Sequence, residues 1–322
     1  MATGAPQSGL YRPCATILGW ENAPKPLMLL IEAQTWLIQT LINAGIEPAE
    51  AEAESRWMLL ETGLSAVQMR LNPDQPLSAA SEKQLKQMLE RRQKREPLQH
   101  ILGHQPFWDL NLKVSPDVLI PRPETEELVE LALAYLPTQG PVQIADMGTG
   151  SGAIALALAQ TLQKRGQPAE IWASDLSEGA LAVAQENAQR NQLEKRVLWL
   201  QGDGLTPFFK QALQLDLLVS NPPYIPLKDW QELAPEVKDF EPRLALTPGE
   251  DALLFYRLLA SEGSHLLKAE AWLCVELDHG MAQATLALFQ IPTWQNAALK
   301  KDLRGCWRFL CAQKSPSKHH SP

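Results

Sequence analysis

Val142-Gln143-Ile144-Ala145-Asp146-Met147-Gly148-Thr149-Gly150-Ser151-Gly152-Ala153 is the stretch that decides how the chain is read. Val142–Met147 is a short apolar run with strand character, and 153–162 behind it has helical character. The glycines between them let the backbone turn sharply and pass close to a ligand. Strand, glycine loop and helix form the arrangement at which open α/β sheets bind ligands, the helix N-terminus favouring an anionic group. Two ligands suit it. Read as GxGxxA, the loop cradles a dinucleotide pyrophosphate. Read as an acidic residue followed by GxGxG, it holds the amino-acid end of S-adenosylmethionine. The candidate contacts are Asp146, Gly148, Thr149, Gly150, Ser151 and Gly152.

Downstream, strand and helix patterns alternate. Strands are predicted at 170–175, 197–201, 215–220, 271–277 and 307–311, and helices at 179–190 and 251–267. Alternation with continuously apolar strands predicts an α/β fold, a mostly parallel sheet covered on both faces. The last strands are expected to pair antiparallel at its edge. Upstream, Pro121-Arg122-Pro123-Glu124-Thr125-Glu126 opens a helix, with Pro123 in the first turn and carboxylates at the favourable end of the dipole.

Residues 97–120, punctuated by Pro97, Gly103, Pro106 and Pro116, read as a β-hairpin linker. Residues 27–96 read as a small all-helical domain: Leu30, Leu37, Ile38 and Leu41 share one helix face. A second helix follows Pro48, and a third starts at Ser81 with Leu85, Met88 and Leu89 on one side. The basic run Arg91-Arg92-Gln93-Lys94-Arg95 reads as cations offsetting that helix's dipole. Residues 1–26 read as a disordered extension, 121–313 as the α/β domain and 314–322 as a polar tail.

Three further signals bear on chemistry. Asp175, at the end of the next strand, is placed to accept hydrogen bonds from both ribose hydroxyls of a nucleoside, or else to cap the helix starting near Ser177. Asp203 in Gln201-Gly202-Asp203-Gly204 meets the adenine edge or simply forms a turn. Asn221-Pro222-Pro223-Tyr224 follows the strand 215–220 directly. Two prolines remove two backbone donors and stiffen the loop, and beside them stands one amide that both donates and accepts. An amide or exocyclic amino nitrogen attacking a sulfonium methyl needs its lone pair made available. Bonds from its N–H groups to the Asn221 oxygen and the Pro222 carbonyl aim that lone pair, and Tyr224 stacks on or flanks the planar group. No metal and no covalent nucleophile is required. These residues point to a methyltransferase acting on a planar nitrogen.

The 322 residues carry a formal net charge of −8, which argues against direct nucleic-acid binding through many phosphate contacts. Cys14, Cys274, Cys306 and Cys311 form no CxxC pair and read as reduced thiols, and His319 and His320 as solvated sequence. No secretory signal and no membrane span is visible, so a cytoplasmic protein with no membrane association is expected.

With these residues in hand, the chain resembles the HemK-type protein glutamine N5-methyltransferases that modify peptide chain release factors. The resemblance runs from about Leu98 to Ala312. It is carried by 119–126, the loop 146–153 and Val219–Ile225, together with Phe240-Glu241-Pro242-Arg243-Leu244-Ala245-Leu246 and Lys301-Asp302-Leu303-Arg304-Gly305. It implies a seven-stranded Rossmann-like class I methyltransferase sheet whose helical N-terminal domain helps hold a protein substrate. It implies S-adenosyl-L-methionine as cofactor, bound by 148–152 and Asp175. The acceptor it implies is the glutamine of a release factor's Gly-Gly-Gln tip, received by 221–224, with Asn221 touching both ligands.

The sequence departs from the family pattern at Met147, at Gly204, where relatives often place an aromatic against adenine, and at 247–252. Arg243 is expected to pair with Glu241 or Glu236. The competing readings are a ribosomal-protein glutamine methyltransferase, a DNA adenine-N6 methyltransferase, an NAD-dependent oxidoreductase, which leaves 221–224 idle, and a nucleoside-binding adaptor.

Overall fold

A computed structural model of the chain describes residues 27–316. The extension expected over 1–26, with Cys14, and most of the tail expected over 314–322, with His319 and His320, lie outside the described residues. The chain falls into two compact units divided between Gln87 and Met88.

The first unit is helical. α1 (Leu30–Asn43) buries Leu30, Ala33, Leu37 and Leu41 at the spacing of one helix face. α2 (Pro48–Glu61) starts on a proline, whose missing N–H costs nothing in a first turn. α3 (Ala66–Leu71) was not among the expected elements. Its start is a capping box: Ser65 Oγ accepts the Gln68 N–H at 3.1 Å, and Gln68 Oε1 accepts the Ser65 N–H at 2.8 Å. The helix is too short to show a period, so only that cap could have revealed it. α4 (Ala79–Arg92) begins slightly before the expected Ser81 and crosses the division.

The second unit opens with the end of α4. Here the basic run does more than offset a dipole. Arg92 is buried and its Nη1 lies 2.8 Å from Glu236, which Arg95 also reaches at 2.7 Å, while Arg91 pairs with Glu96. α5 (Leu98–Leu102) adds one helical turn to the expected hairpin, formed by β1 (His104–Phe107) and β2 (Leu110–Lys113). α6 (Pro123–Tyr135) carries Pro123, Glu124 and Glu126 in its first turn.

The sheet is assembled from β3 (Val142–Met147), α7 (Ala153–Lys164), β4 (Ala169–Asp175), α8 (Glu178–Arg190), β5 (Val197–Gln201), α9 (Thr206–Phe209) and β6 (Leu215–Ser220). A long connection holding α10 (Pro235–Phe240) and α11 (Arg243–Leu246) leads to α12 (Leu254–Leu266), β7 (Leu267–Glu276), α13 (Ala282–Leu288), β8 (Trp294–Lys301) and β9 (Trp307–Lys314). The seven strands lie in the order β5-β4-β3-β6-β7-β9-β8, parallel from β5 to β7, with β9 and β8 antiparallel at the edge.

Alternate residues serve the two faces. Ile144, Leu217 and Val219 enter one core cluster, and Ala145, Met147 and Leu218 enter the other. β8 was not foreseen. It is an edge strand of polar and small residues, Trp-Gln-Asn-Ala-Ala-Leu-Lys-Lys, broken by an irregularity between Gln295 and Ala298 at which Asn296 takes φ 53°. Such a strand shows neither alternation nor a continuous apolar run. Among the described residues no helix is long and apolar enough to cross a membrane.

Candidate active site

From β3 the chain winds outward through β4 to β5, then returns to β6 on the opposite side of β3 and continues to β7. The connections therefore part at the C-terminal ends of β3 and β6, which is where open sheets leave a crevice. A cleft, partly continuous with solvent, opens there. Its walls include Gly148–Ser151 after β3, Asp175 after β4, Asp203 and Gly204 after β5, and Asn221–Pro223 after β6.

The glycine loop is wired to its own flanks and to the adjacent strand and helix. Asp146 is fully buried, and its Oδ2 accepts the Thr149 hydroxyl at 2.7 Å and the Ala155 N–H at 3.2 Å. Burial pushes its carboxyl up to about 7, against the pull of those two bonds. Asp175 Oδ2 accepts the Gly150 N–H and Oδ1 the Ser177 N–H, each at 2.9 Å. Burial raises the Asp175 carboxyl too, with the bonds from Ser177 and Gly150 opposing. Ser177, not Asp175, caps α8, its hydroxyl accepting the Ala180 N–H. Gly148 (φ 72°) and Gly150 (φ 55°) hold left-handed backbone that a side chain would strain, and the space beside each is open.

The Asn221 loop is wired over long range. Ser220 Oγ donates to the Met147 carbonyl at 2.7 Å, tying the two strand ends together. Asn221 Nδ2 donates to Thr125 Oγ1 at 3.2 Å, and Thr125 Oγ1 donates to Glu276 Oε2 at 2.8 Å. The Ile225 and Leu227 N–H groups donate to the carbonyls of Leu246 and Gly249. Glu241, almost fully buried, accepts the Ile120 N–H at 3.0 Å and a bond from Arg122. With Glu241 so engaged and Glu236 held by Arg92 and Arg95, neither is the partner expected for Arg243. Its guanidinium lies 5.5 Å over the Trp230 ring instead.

Two family models match the chain: one described as the PrmC N-terminal domain over residues 32–103, and one as the methyltransferase small domain over 127–235. Release factor glutamine methyltransferase of Geobacter sulfurreducens is 42% identical over 85% of this chain and 93% of its own length. The chain belongs to the release factor glutamine methyltransferases. Family members from Caulobacter vibrioides and Moorella thermoacetica are 38% and 40% identical, over 90% and 89% of this chain and 98% and 99% of their own.

Methyltransferases of this family use S-adenosylmethionine, and the residues present fit it. The open left-handed cradle at Gly148 and Gly150 faces the same cleft as the Asp175 carboxylate. Of the residues singled out in the sequence, Gly148, Thr149, Gly150, Ser151, Asp175, Asp203, Asn221, Pro222 and Pro223 line the cleft.

Asp146, Gly152 and Tyr224 do not form its wall. Asp146 braces the loop from beneath. A Cβ on Gly152 would stand 3.1–3.3 Å from Leu156, Ala184 and Trp199, so this glycine serves close packing of α7. The Tyr224 ring packs against the second core cluster, where burial raises its phenol well above its ordinary value, the Glu276 carboxylate adding to the rise. Gly204 lines the cleft without an aromatic, and Phe255 of α12 contributes a ring to the same wall.

The sequence pointed to no role in the site for Thr125, Glu276 or Asn187, and it assigned Glu241 a different partner from the one it has. Asn187 is buried. Its Oδ1 accepts the Lys113 N–H at 2.6 Å, and its Nδ2 donates to the Ser151 carbonyl at 2.9 Å, joining hairpin to glycine loop. A signal for it existed: Ala180, Val183, Ala184 and Asn187 share one helix face, and a polar residue on an apolar face requires partners.

Proposed function

We propose that this chain methylates the side-chain amide nitrogen (N5) of the glutamine in the Gly-Gly-Gln motif of peptide chain release factors, using the cleft between β3 and β6. One observation carries the assignment of the site: the amide of Asn221 lines the same cleft as the open glycine cradle and Asp175. Gly148–Ser151 and Asp175 would hold S-adenosylmethionine, with Asp203 at the adenine end. Asp146 and Gly152 act on it only through the loop they support. When bound, S-adenosylmethionine supplies a methyl group on a positively charged sulfur.

The chain's own residues do the rest by positioning. An amide nitrogen is a poor nucleophile because its lone pair is delocalised into the carbonyl. The Asn221 oxygen accepts one N–H of the incoming glutamine, which fixes the rotation of the amide plane and aims the nitrogen's out-of-plane density. Pro222 and Pro223 keep the loop from relaxing, so that little ordering remains to be done when substrate arrives. Tyr224 stiffens the loop from the core side. The helical segment 27–96 helps hold the protein substrate, 97–120 links it, and 121–313 carries the transfer chemistry.

The test is incubation with labelled S-adenosylmethionine and release factor, ribosomal protein or DNA in separate arms, followed by peptide mass spectrometry. Label on the Gly-Gly-Gln glutamine is expected. Label confined to ribosomal protein or DNA would overturn the substrate assignment, and bound cofactor with no transfer in any arm would favour an adaptor.

A further inference from the structure

Linked to Asn221 are two polar groups from outside both loops, one of which, Thr125, also lines the cleft. Thr125, at the start of α6, is buried, and Glu276, at the end of β7, is more deeply buried still. We propose that Thr125 and Glu276 are positioning residues that fix which end of the Asn221 amide faces the substrate, a proposal that rests on the reading of Asn221 given above.

One proton decides the orientation. A threonine hydroxyl carries a single proton. Thr125 gives it to Glu276 Oε2 at 2.8 Å, so toward Asn221 the hydroxyl oxygen can only accept. Only the NH₂ end of Asn221 can satisfy it, and it does so at 3.2 Å. The amide oxygen is thereby turned away from Thr125 and left to accept an N–H from a glutamine side chain. A flipped Asn221 would set NH₂ against NH₂, losing the bond that orients the acceptor.

The groups around Glu276 act on the same carboxylate. Arg308 of β9 and Arg122, just before α6, favour its charged form, and Glu124 opposes it. Tyr224 and Tyr256 also feel its charge, and Tyr256 donates its hydroxyl to the Glu276 backbone carbonyl at 3.1 Å. Burial pushes the Glu276 carboxyl up to about 7 against the Thr125 bond. Below that pH the carboxyl gains a hydroxyl that can itself donate to Thr125 Oγ1, which frees the threonine proton, and the order of donors and acceptors is no longer unique.

The experiment compares Asn221→Ala, Thr125→Val, Thr125→Ser and Glu276→Gln with the native enzyme on release factor, with cofactor affinity and thermal midpoint measured alongside. Thr125→Val is expected to lower kcat by about 10-fold or more, the worth of one lost orienting hydrogen bond. KM and cofactor Kd should stay within about threefold, and Thr125→Ser, which keeps the hydroxyl, should restore kcat to within about threefold. Glu276→Gln, which cannot titrate, should flatten the fall in kcat on the acid side of about pH 7.

Native kcat in Thr125→Val with Asn221→Ala inactive would overturn the relay and leave the Asn221 reading standing. Native kcat in both would overturn that reading, and the relay with it. Should Thr125→Val fail to fold, an acid-side profile in Glu276→Gln identical to the native one would overturn the relay.

Discussion

The two loops that meet in the cleft are built on opposite plans. After β3, Asp146 reaches only to Thr149 and Ala155, its near neighbours in sequence, and the glycines supply the turn. After β6, Asn221 depends on Thr125, Thr125 on Glu276, and the connection that follows depends on Ile120, Arg122, Arg92 and Arg95. Every one of those partners comes from another element of the fold. The first loop takes its turn from its own glycines and is pinned by the neighbouring strand and helix, through Asp175 and Asn187. The second is a rigid strip of chain whose aim is set from outside, and that difference orders what substitution should do to each.

The largest effect is expected at the end of the externally held loop. Asn221→Ala should lower kcat by about 10²- to 10³-fold, as removal of a preorganised polar contact does, while cofactor Kd changes far less. Steady-state kinetics with calorimetric cofactor binding checks both, and equal losses in the two would erase the distinction between the loops.

Next is the tie between that loop and the chain before α6. Glu241→Ala leaves the Ile120 N–H and the Arg122 guanidinium without their buried acceptor and should cost about 3 kcal/mol in denaturant unfolding. A cost near zero would mean the 221–246 connection is not held from outside.

Asp146 sharpens the other side. Its folded-state carboxyl is raised from the ordinary 3.8 to about 7, so the native state keeps a proton the unfolded chain has released. The residue therefore costs stability progressively as pH rises from about 4 to about 7, and the full cost stands above that. Asp146→Asn should gain on the native protein by roughly 2 kcal/mol between about pH 5 and about pH 8. A gap between the two that does not move with pH would contradict the burial account.

Asp175→Ala should weaken cofactor binding by about tenfold, since it removes the acceptor that holds the Gly150 N–H as well as the proposed cofactor contact, with the fold intact by circular dichroism. The smallest effect is expected far from both loops: Ser65→Ala should lose about 0.5–1 kcal/mol of stability and leave kcat unchanged.

The same contrast explains what could be read from sequence. The glycine loop, its flanking strand and helix, and the Asn221-Pro222-Pro223 strip were legible because glycine and proline act where they stand. Thr125 and Glu276 were not, since nothing in a linear string says that one residue in a helix's first turn and another at a strand's end lie 2.8 Å apart. Tyr224 shows the limit from the other direction. Its place beside the motif suggested a ring on or beside the planar group, and the half-buried ring lies against the second core cluster. Arg243 likewise lost both expected partners to arginines on other elements. β8 stayed hidden because the irregularity between Gln295 and Ala298 breaks the alternation by which Trp294, Ala297 and Leu299 pack on the core.

The most direct test is a crystal structure with cofactor product and a Gly-Gly-Gln peptide bound. The account predicts the glutamine side-chain nitrogen within hydrogen-bond reach of the Asn221 oxygen, in the cleft between β3 and β6. A peptide glutamine seated elsewhere, or an Asn221 amide turned with its NH₂ toward the substrate, would contradict it.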